Sequence, residues 1–177
     1  MTKDNFSKIY DTHMTEIYRF FYLRTNQREH SEELASEAFF KFWEHNKNKP
    51  EDYIKNARAF LYRISRNLLV DFIRKNNQTK QDISIEEFND SPNLPRTLVD
   101  DSFRQSVELE EQQNKVKKAL TKINPTYADV IIYYYIEGLT SQEISQILEK
   151  TESNVRVIIH RSLEALKKEM GETIDIQ

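Results

Sequence analysis

The chain has 177 residues, enough for one domain or two small ones with a modest core in each. Only two residues are Gly, at positions 138 and 171, which excludes the Gly-rich loops that cradle phosphates. There is no Cys, so disulfides and thiolate metal sites are excluded, and 26 Lys and Arg against 29 Asp and Glu leave the whole weakly acidic.

Nearly every long stretch carries helical rather than alternating periodicity, so the fold class is expected to be all-α. The acidity is concentrated. Residues 1–79 hold 14 basic and 11 acidic side chains, a net of +3; residues 80–112 hold 3 and 9, a net of −6; residues 113–177 hold 9 of each. This division predicts two small helical domains, 1–79 and 113–177, joined by a flexible acidic linker, 80–112. The longest apolar run, Val130 to Ile136, is too short to span a bilayer, and MTKDNFSK has no apolar stretch behind its charges. Both features predict a cytoplasmic chain with no membrane insertion.

The first helix is expected around Phe6, Ile9, Tyr10, His13, Ile17, Phe20 and Phe21, which recur at three- and four-residue spacing. A second is predicted to start near Ser31 as N-cap, with Glu32 and Glu33 in its first turn. Its buried stripe is Leu34, Ala35, Ala38, Phe39 and Phe42, and its opposite side presents Glu33, Glu37, Phe40, Lys41 and Glu44. An aromatic among charges there suggests a protein interface, although Phe40 and Trp43 could both be core.

The third helix is predicted from about Pro50 or Asn56 to Lys75, burying Ala57, Phe60, Leu61, Ile64, Leu68 and Phe72. Arg58, Tyr62, Arg63, Arg66, Asn67 and Arg74 fall largely off that face, with Lys49, Tyr53, Lys55 and Asn56 just before it. Basic groups interleaved with aromatic and amide groups suit single-stranded DNA, whose bases stack on rings while cations track the backbone. A merely solvated face, with Tyr62 partly core, is the competing reading.

The stretch from Gln81 to Ser102, with its two prolines and many acids, shows no sustained period. After it, a helix carrying Val116, Ala119 and Leu120 ends near Ile123. Asn124 then caps a helix opened by Pro125 and stopped at Gly138. Thr140 and Glu143 form a capping box for a short helix to Leu148, and a turn through Glu149, Lys150 and Thr151 leads to a last helix, roughly Glu152 to Glu169. There Val155, Ile159, Ser162 and Leu166 share the inward face, while Arg156, His160, Arg161, Glu164 and Lys167 face out. Apolar anchors behind and long donors in front describe the recognition helix of a helix-turn-helix, set against the alternative of a plain helical hairpin. The four histidines are scattered and complete no carboxylate-bridged metal pattern, so neither a metal, a cofactor nor an enzyme activity is expected.

Three stretches together resemble the extracytoplasmic-function (ECF) group of the sigma-70 family of bacterial sigma factors. They are Glu33-Leu-Ala-Ser-Glu-Ala-Phe-Phe-Lys-Phe-Trp43, Leu61-Tyr-Arg-Ile-Ser-Arg-Asn67 and Gly138-Leu-Thr-Ser-Gln-Glu-Ile-Ser145. The resemblance implies region 2 within 1–79 and region 4 within 113–177. It implies docking of Glu33, Leu34, Ser36, Glu37, Phe40 and Lys41 on the β′ clamp helices of RNA polymerase core, with the β flap as a further polymerase contact. It implies that Lys49, Tyr53, Lys55, Asn56, Arg58, Tyr62, Arg63, Arg66 and Asn67 take the unpaired non-template strand of the −10 element. Thr140, Asn154, Arg156, Val157, His160 and Arg161 would meet the −35 duplex. Promoter DNA and an anti-sigma factor are further partners that the family implies. The rival readings are a conventional helix-turn-helix regulator with an N-terminal dimerising or sensing domain, and a small helical enzyme or metal carrier.

Overall fold

The computed structural model describes residues 1–50, 53–79 and 103–171. The helices run in the order α1 (Lys3–Thr25), α2 (Arg28–Asn46), α3 (Ala57–Thr79), α4 (Phe103–Lys122), α5 (Pro125–Ile131), α6 (Ser141–Leu148) and α7 (Glu152–Glu169). A five-residue π-helical turn, Ile132–Ile136, continues α5. Among the described residues there is no strand, as the helical periodicity predicts.

In the N-terminal half, α2 packs against both α1 and α3. The expected stripe of α2 is buried in full, at Leu34, Ala35, Ala38, Phe39 and Phe42. From α1, Phe6 and Tyr10 meet it as a cluster of rings, with Phe6 5.2 Å from Trp43 and Tyr10 4.8 Å from Phe39. The start of α2 differs from expectation. The helix begins three residues earlier, at Arg28, and Ser31 lies inside it, fully buried. Its hydroxyl donates to the Gln27 carbonyl and lies 3.0 Å from the Thr25 hydroxyl. Ser31 thus ties the α1–α2 turn together instead of capping a helix. At α3 the N-cap role belongs to Asn56, whose side-chain oxygen accepts from the Ala59 amide at 2.9 Å.

In the C-terminal half, α7 packs on α4, α5 and α6. Asn124 accepts from the Thr126 amide, and Pro125 occupies the first turn, where it sacrifices no hydrogen bond. Gly138 ends the π turn at φ +65°, and Thr140 with Glu143 forms the full capping box. Burial pushes the Glu143 carboxyl up, but the Thr140 amide and hydroxyl, Asn56 and Arg58 outweigh it and hold the group below its ordinary range. At the turn before α7, Glu149 adopts φ +54°, a conformation that costs a non-Gly residue roughly 1–2 kcal/mol.

The last ten residues of the segment expected to be linker, 103–112, are helical and belong to α4. Phe103 to Gln112 carries no apolar stripe by which periodicity could reveal it, yet it is rich in Glu, Gln and other good helix formers. The expected linker residues 80–102 lie outside the described residues.

The two halves are not separate. From α3 to α6 and from α1 to α4 they are in contact, and the buried apolar side chains of both form one continuous cluster. At its centre Phe20, Tyr62 and Tyr133 meet as three fully buried rings.

Candidate nucleic-acid and protein interfaces

The face of α7 that periodicity assigns inward is buried at Val155, Ile159, Ser162 and Leu166. This leaves Asn154, Arg156, Val157, His160 and Arg161 exposed on one continuous outer side, and Thr140 is exposed at the start of α6. Thr151 caps α7 by accepting from the Asn154 amide, so the helix presents its positive end beside Asn154 and Arg156. Arg156 pairs with Glu152 at 2.6 Å, and Glu152 also accepts from Ser141 of α6. One acid thereby links α6 to the first turn of α7 and holds the arginine in its resting position. Val157, 49% exposed, offers methyl groups to that face.

On α2 the exposed residues Glu33, Ser36, Glu37, Phe40 and Lys41 form a single strip, with Phe40 63% exposed. Lys41 pairs with Glu37 at 3.1 Å. Leu34 behaves differently: it is 7% exposed and supports the strip from beneath. Trp43 is half-buried against Phe6.

The strand-reading candidates around α3 fall into two groups. Lys49, Tyr53, Lys55 and Asn67 lie on the outside or at its edge. Lys49 sits over the Tyr53 ring at 4.1 Å, and its ammonium lies 2.6 Å from His45 Nε2. His45 also lies 5.0 Å from Phe60, and Arg63 stands over that ring at 5.0 Å. These five side chains build a step of rings edged with cations, suited to stacking bases. Burial lowers the His45 pKa, and the neighbouring charges of Lys49 and Arg63 lower it further. Sequence reading missed His45 and Phe60, because only the turn of chain between α2 and α3 brings them beside Tyr53.

The second group faces the C-terminal half. Arg58 donates to the Glu137 carbonyl at 2.6 Å and to Glu16 at 2.8 Å. Arg66 pairs with Asp129 at 3.3 Å, Arg63 with Glu149 at 3.3 Å, and Asn56 donates to Glu143 at 3.4 Å. Tyr62, expected off the buried face, is fully buried between Phe20 and Tyr133. The expectation for Tyr62 fails because it assumed one packing partner for α3. The helix has two, and the second takes the face that carries Tyr62, Arg58 and Arg66.

With Glu137, Asp129 is one of two buried acids of the contact among the described residues. Arg24 Nε stands 2.9 Å from its Oδ1, out of line for a hydrogen bond, and Arg66 approaches Oδ2 from the other side. Burial pushes the Asp129 carboxyl up, and the two guanidiniums offset part of that push. Near it, Arg19 of α1 grips both oxygens of Glu137, at 2.6 and 3.1 Å. Among the described residues no group of three or more His, Cys, Asp or Glu could hold a metal ion, and no helix is long and apolar enough to cross a membrane.

Taken together, these features define an all-helical protein in two parts. One part carries a helix-turn-helix, and the other carries a ring-and-cation step and an exposed strip with an aromatic at its centre. Comparison with known families matches residues 9–79 to sigma-70 region 2 and residues 113–166 to sigma-70 region 4. The chain belongs to the sigma-70 family, as an RNA polymerase sigma factor of the ECF type. Similar proteins include the ECF RNA polymerase sigma factors SigM and SigW of Bacillus subtilis (strain 168). SigM is 24% identical over 90% of this chain and 91% of its own, and SigW is 28% identical over 95% and 90%. Among solved structures, the sigma factor RpoE in complex with the anti-sigma factor NepR from Bartonella quintana aligns with a TM-score of 0.71 at 19% identity. The alignment covers 99% of this chain and 100% of that one. CnrH, in complex with the cytosolic domain of CnrY, aligns at 0.66 and 18%, covering 96% and 89%. Family membership decides against a conventional helix-turn-helix regulator.

Proposed function

We propose that this sigma factor joins RNA polymerase core through the exposed strip of α2 and reads a promoter at two places. The observation that carries the reading is the outer side of α7, where Asn154, Arg156, Val157, His160 and Arg161 stand together over a buried apolar face. In this reading α7 enters the major groove at the −35 element, its two arginines donating to guanine or phosphate and Val157 meeting thymine methyls. Thr140 touches the adjoining backbone.

At the −10 element, Lys49, Tyr53, Lys55, Asn56 and Asn67, together with Arg58, Arg63 and Arg66, take the melted strand. The step formed by Tyr53, His45 and Phe60 supplies the rings on which a displaced base stacks. Tyr62 supports α3 from within and does not touch the strand. Glu33, Ser36, Glu37, Phe40 and Lys41 dock on the β′ clamp helices, with Leu34 beneath, and the residues 113–177 reach the β flap. Residues 1–79 and 113–177 act as separate grips joined by residues 80–112. The chain contributes binding and positioning and makes no bond.

A weakly acidic protein can serve this purpose because polymerase supplies most of the affinity. Once both grips are held on one machine, each contributes at high effective concentration. An anti-sigma factor is a further proposed partner, since the similar solved structure of the sigma factor RpoE holds the anti-sigma factor NepR. The test is run-off transcription from genomic promoter fragments with purified core polymerase. Specific transcripts are expected only when the chain is added. Failure to associate with core, or association without initiation at any promoter, overturns the reading.

A further inference from the structure

An acid, Glu152, opens α7 on the side proposed to face DNA, where a negative charge works against phosphate. It lies one turn before Arg156, and its side chain is 42% exposed. Its Oε1 accepts from Ser141 Oγ of α6 at 2.8 Å and from Arg156 Nη2 at 2.6 Å. Ser141 and Arg156 hold the carboxyl below its ordinary range, so it stays charged at neutral pH. An exposed ion pair within one helix adds little to stability. Here, however, the acid is itself tied to a second helix, so Arg156 leans on an anchor and not on another mobile side chain. A guanidinium carries five N–H donors along two forked edges, and one bond through Nη2 leaves one fork whole. The pair therefore orients Arg156 and keeps a two-pronged contact free.

We propose that Glu152 is a positioning residue for the −35 element, holding Arg156 with one fork aimed at a guanine. It thereby turns a cation that would follow any phosphate into one that selects a base pair. The proposal rests on α7 entering the −35 major groove. A loose Arg156 pairs with whichever phosphate lies nearest, which gives affinity without sequence choice. A held Arg156 meets O6 and N7 of a guanine only where the duplex presents them at that point. The carboxylate also repels the phosphates beside it, and on DNA of the wrong sequence no guanine contact offsets that repulsion. Glu152 thus raises selectivity while lowering general affinity. A residue that merely stabilised the start of α7 would, when removed, weaken binding to all DNA alike.

The test uses holoenzyme assembled from core polymerase and the full chain. Transcription is measured from promoters altered one base pair at a time in the −35 element, alongside binding to unrelated duplex DNA. Arg156→Ala should abolish a preference for G·C of about tenfold at one position. Glu152→Ala should cut that same preference about fivefold and leave the other positions as selective as in the parent. It should also tighten binding to unrelated duplex about twofold. Ser141→Ala keeps the charge and removes only its anchor, so it should cut the preference about twofold without tightening unrelated binding. Added to Arg156→Ala, Glu152→Ala should change selectivity no further. A cooperative thermal transition shows that each variant is folded. An intact preference at the Arg156 position in Glu152→Ala, or an equal loss on every promoter, overturns the proposal with α7 still on the DNA. If Arg156→Ala leaves every position as selective as in the parent, Arg156 reads no base and the proposal falls with that assignment. A parent indifferent to every −35 change places the fault in the docking of α7 itself.

Discussion

Tyr62 of α3 and Tyr133 of the π turn meet edge to face at the buried centre of the contact between the halves, ring centroids 5.1 Å apart at 68°. Neither hydroxyl has a hydrogen-bond partner. Burial raises the ionisation of both far above the ordinary tyrosine range, so both stay neutral. A buried hydroxyl with no partner costs about 1–3 kcal/mol. Tyr133→Phe should therefore stabilise the protein, by about 1 kcal/mol, and raise the midpoint of thermal unfolding by about 2–4 °C. A fall in the midpoint would show that the hydroxyl is satisfied by water.

Phe40 stands 63% exposed on α2, among charges, with no role in the core. Phe40→Ala should leave thermal stability within about 0.5 kcal/mol of the parent. Its affinity for polymerase core should drop by about tenfold or more, as expected of an aromatic anchor. Equilibrium binding of a labelled chain to core measures this, and an unchanged affinity would remove Phe40 from the docking strip.

Arg161 extends from the outer face of α7 without an ion-pair partner among the described residues. Arg161→Ala should weaken promoter-dependent transcription by about tenfold, the size of one good bidentate contact. If Arg161 reads a base, the loss falls mainly on promoters carrying that base. If it clamps a phosphate, the loss is uniform and the salt dependence shallower. Comparing promoters altered one position at a time in the −35 element separates the two, and activity equal to the parent's on all of them would take Arg161 off the DNA.

His45 Nε2 must accept from the Lys49 ammonium, 2.6 Å away, which only the neutral ring can do. Its pKa in the folded chain is lowered by burial and by the charges of Lys49 and Arg63. The unfolded chain therefore binds the proton more readily. The contribution of His45 is fully present above the ordinary histidine value of about 6.5 and is lost as pH falls through the lowered value. The parent should lose stability over that window more steeply than His45→Gln, as followed by chemical denaturation across pH. Phosphates reverse the sign for binding: they favour the charged ring, so strand affinity should rise as pH falls. Parallel pH profiles for the parent and His45→Gln would contradict both expectations.

Much of this architecture is legible in the sequence because it is local. The stripes of α2 and α7, the cap at Asn124, the stop at Gly138 and the box at Thr140 follow from spacing and from single-residue chemistry. What is not legible is whatever a second partner decides. Periodicity assigns α3 one buried face, but Ala59, Tyr62, Ser65 and Leu69 are buried as well as Leu61 and Leu68. Ser31 followed by two acids reads as a helix start, yet its neighbours across the turn absorb it into the helix interior. The step of His45, Tyr53 and Phe60 joins residues from two helices and a loop, so no one window of sequence contains it.

The π turn at Ile132–Ile136 shifts the phase of everything after it. Its i to i+5 bonding ties the Glu137 amide to the Ile132 carbonyl at 2.9 Å. The inward position that Ile136 would inherit in a regular helix passes to Glu137, and Ile136 is left 39% exposed. Wound as a regular α-helix with no residue removed, the same sequence would put a hydrocarbon where Arg19 now finds its acid.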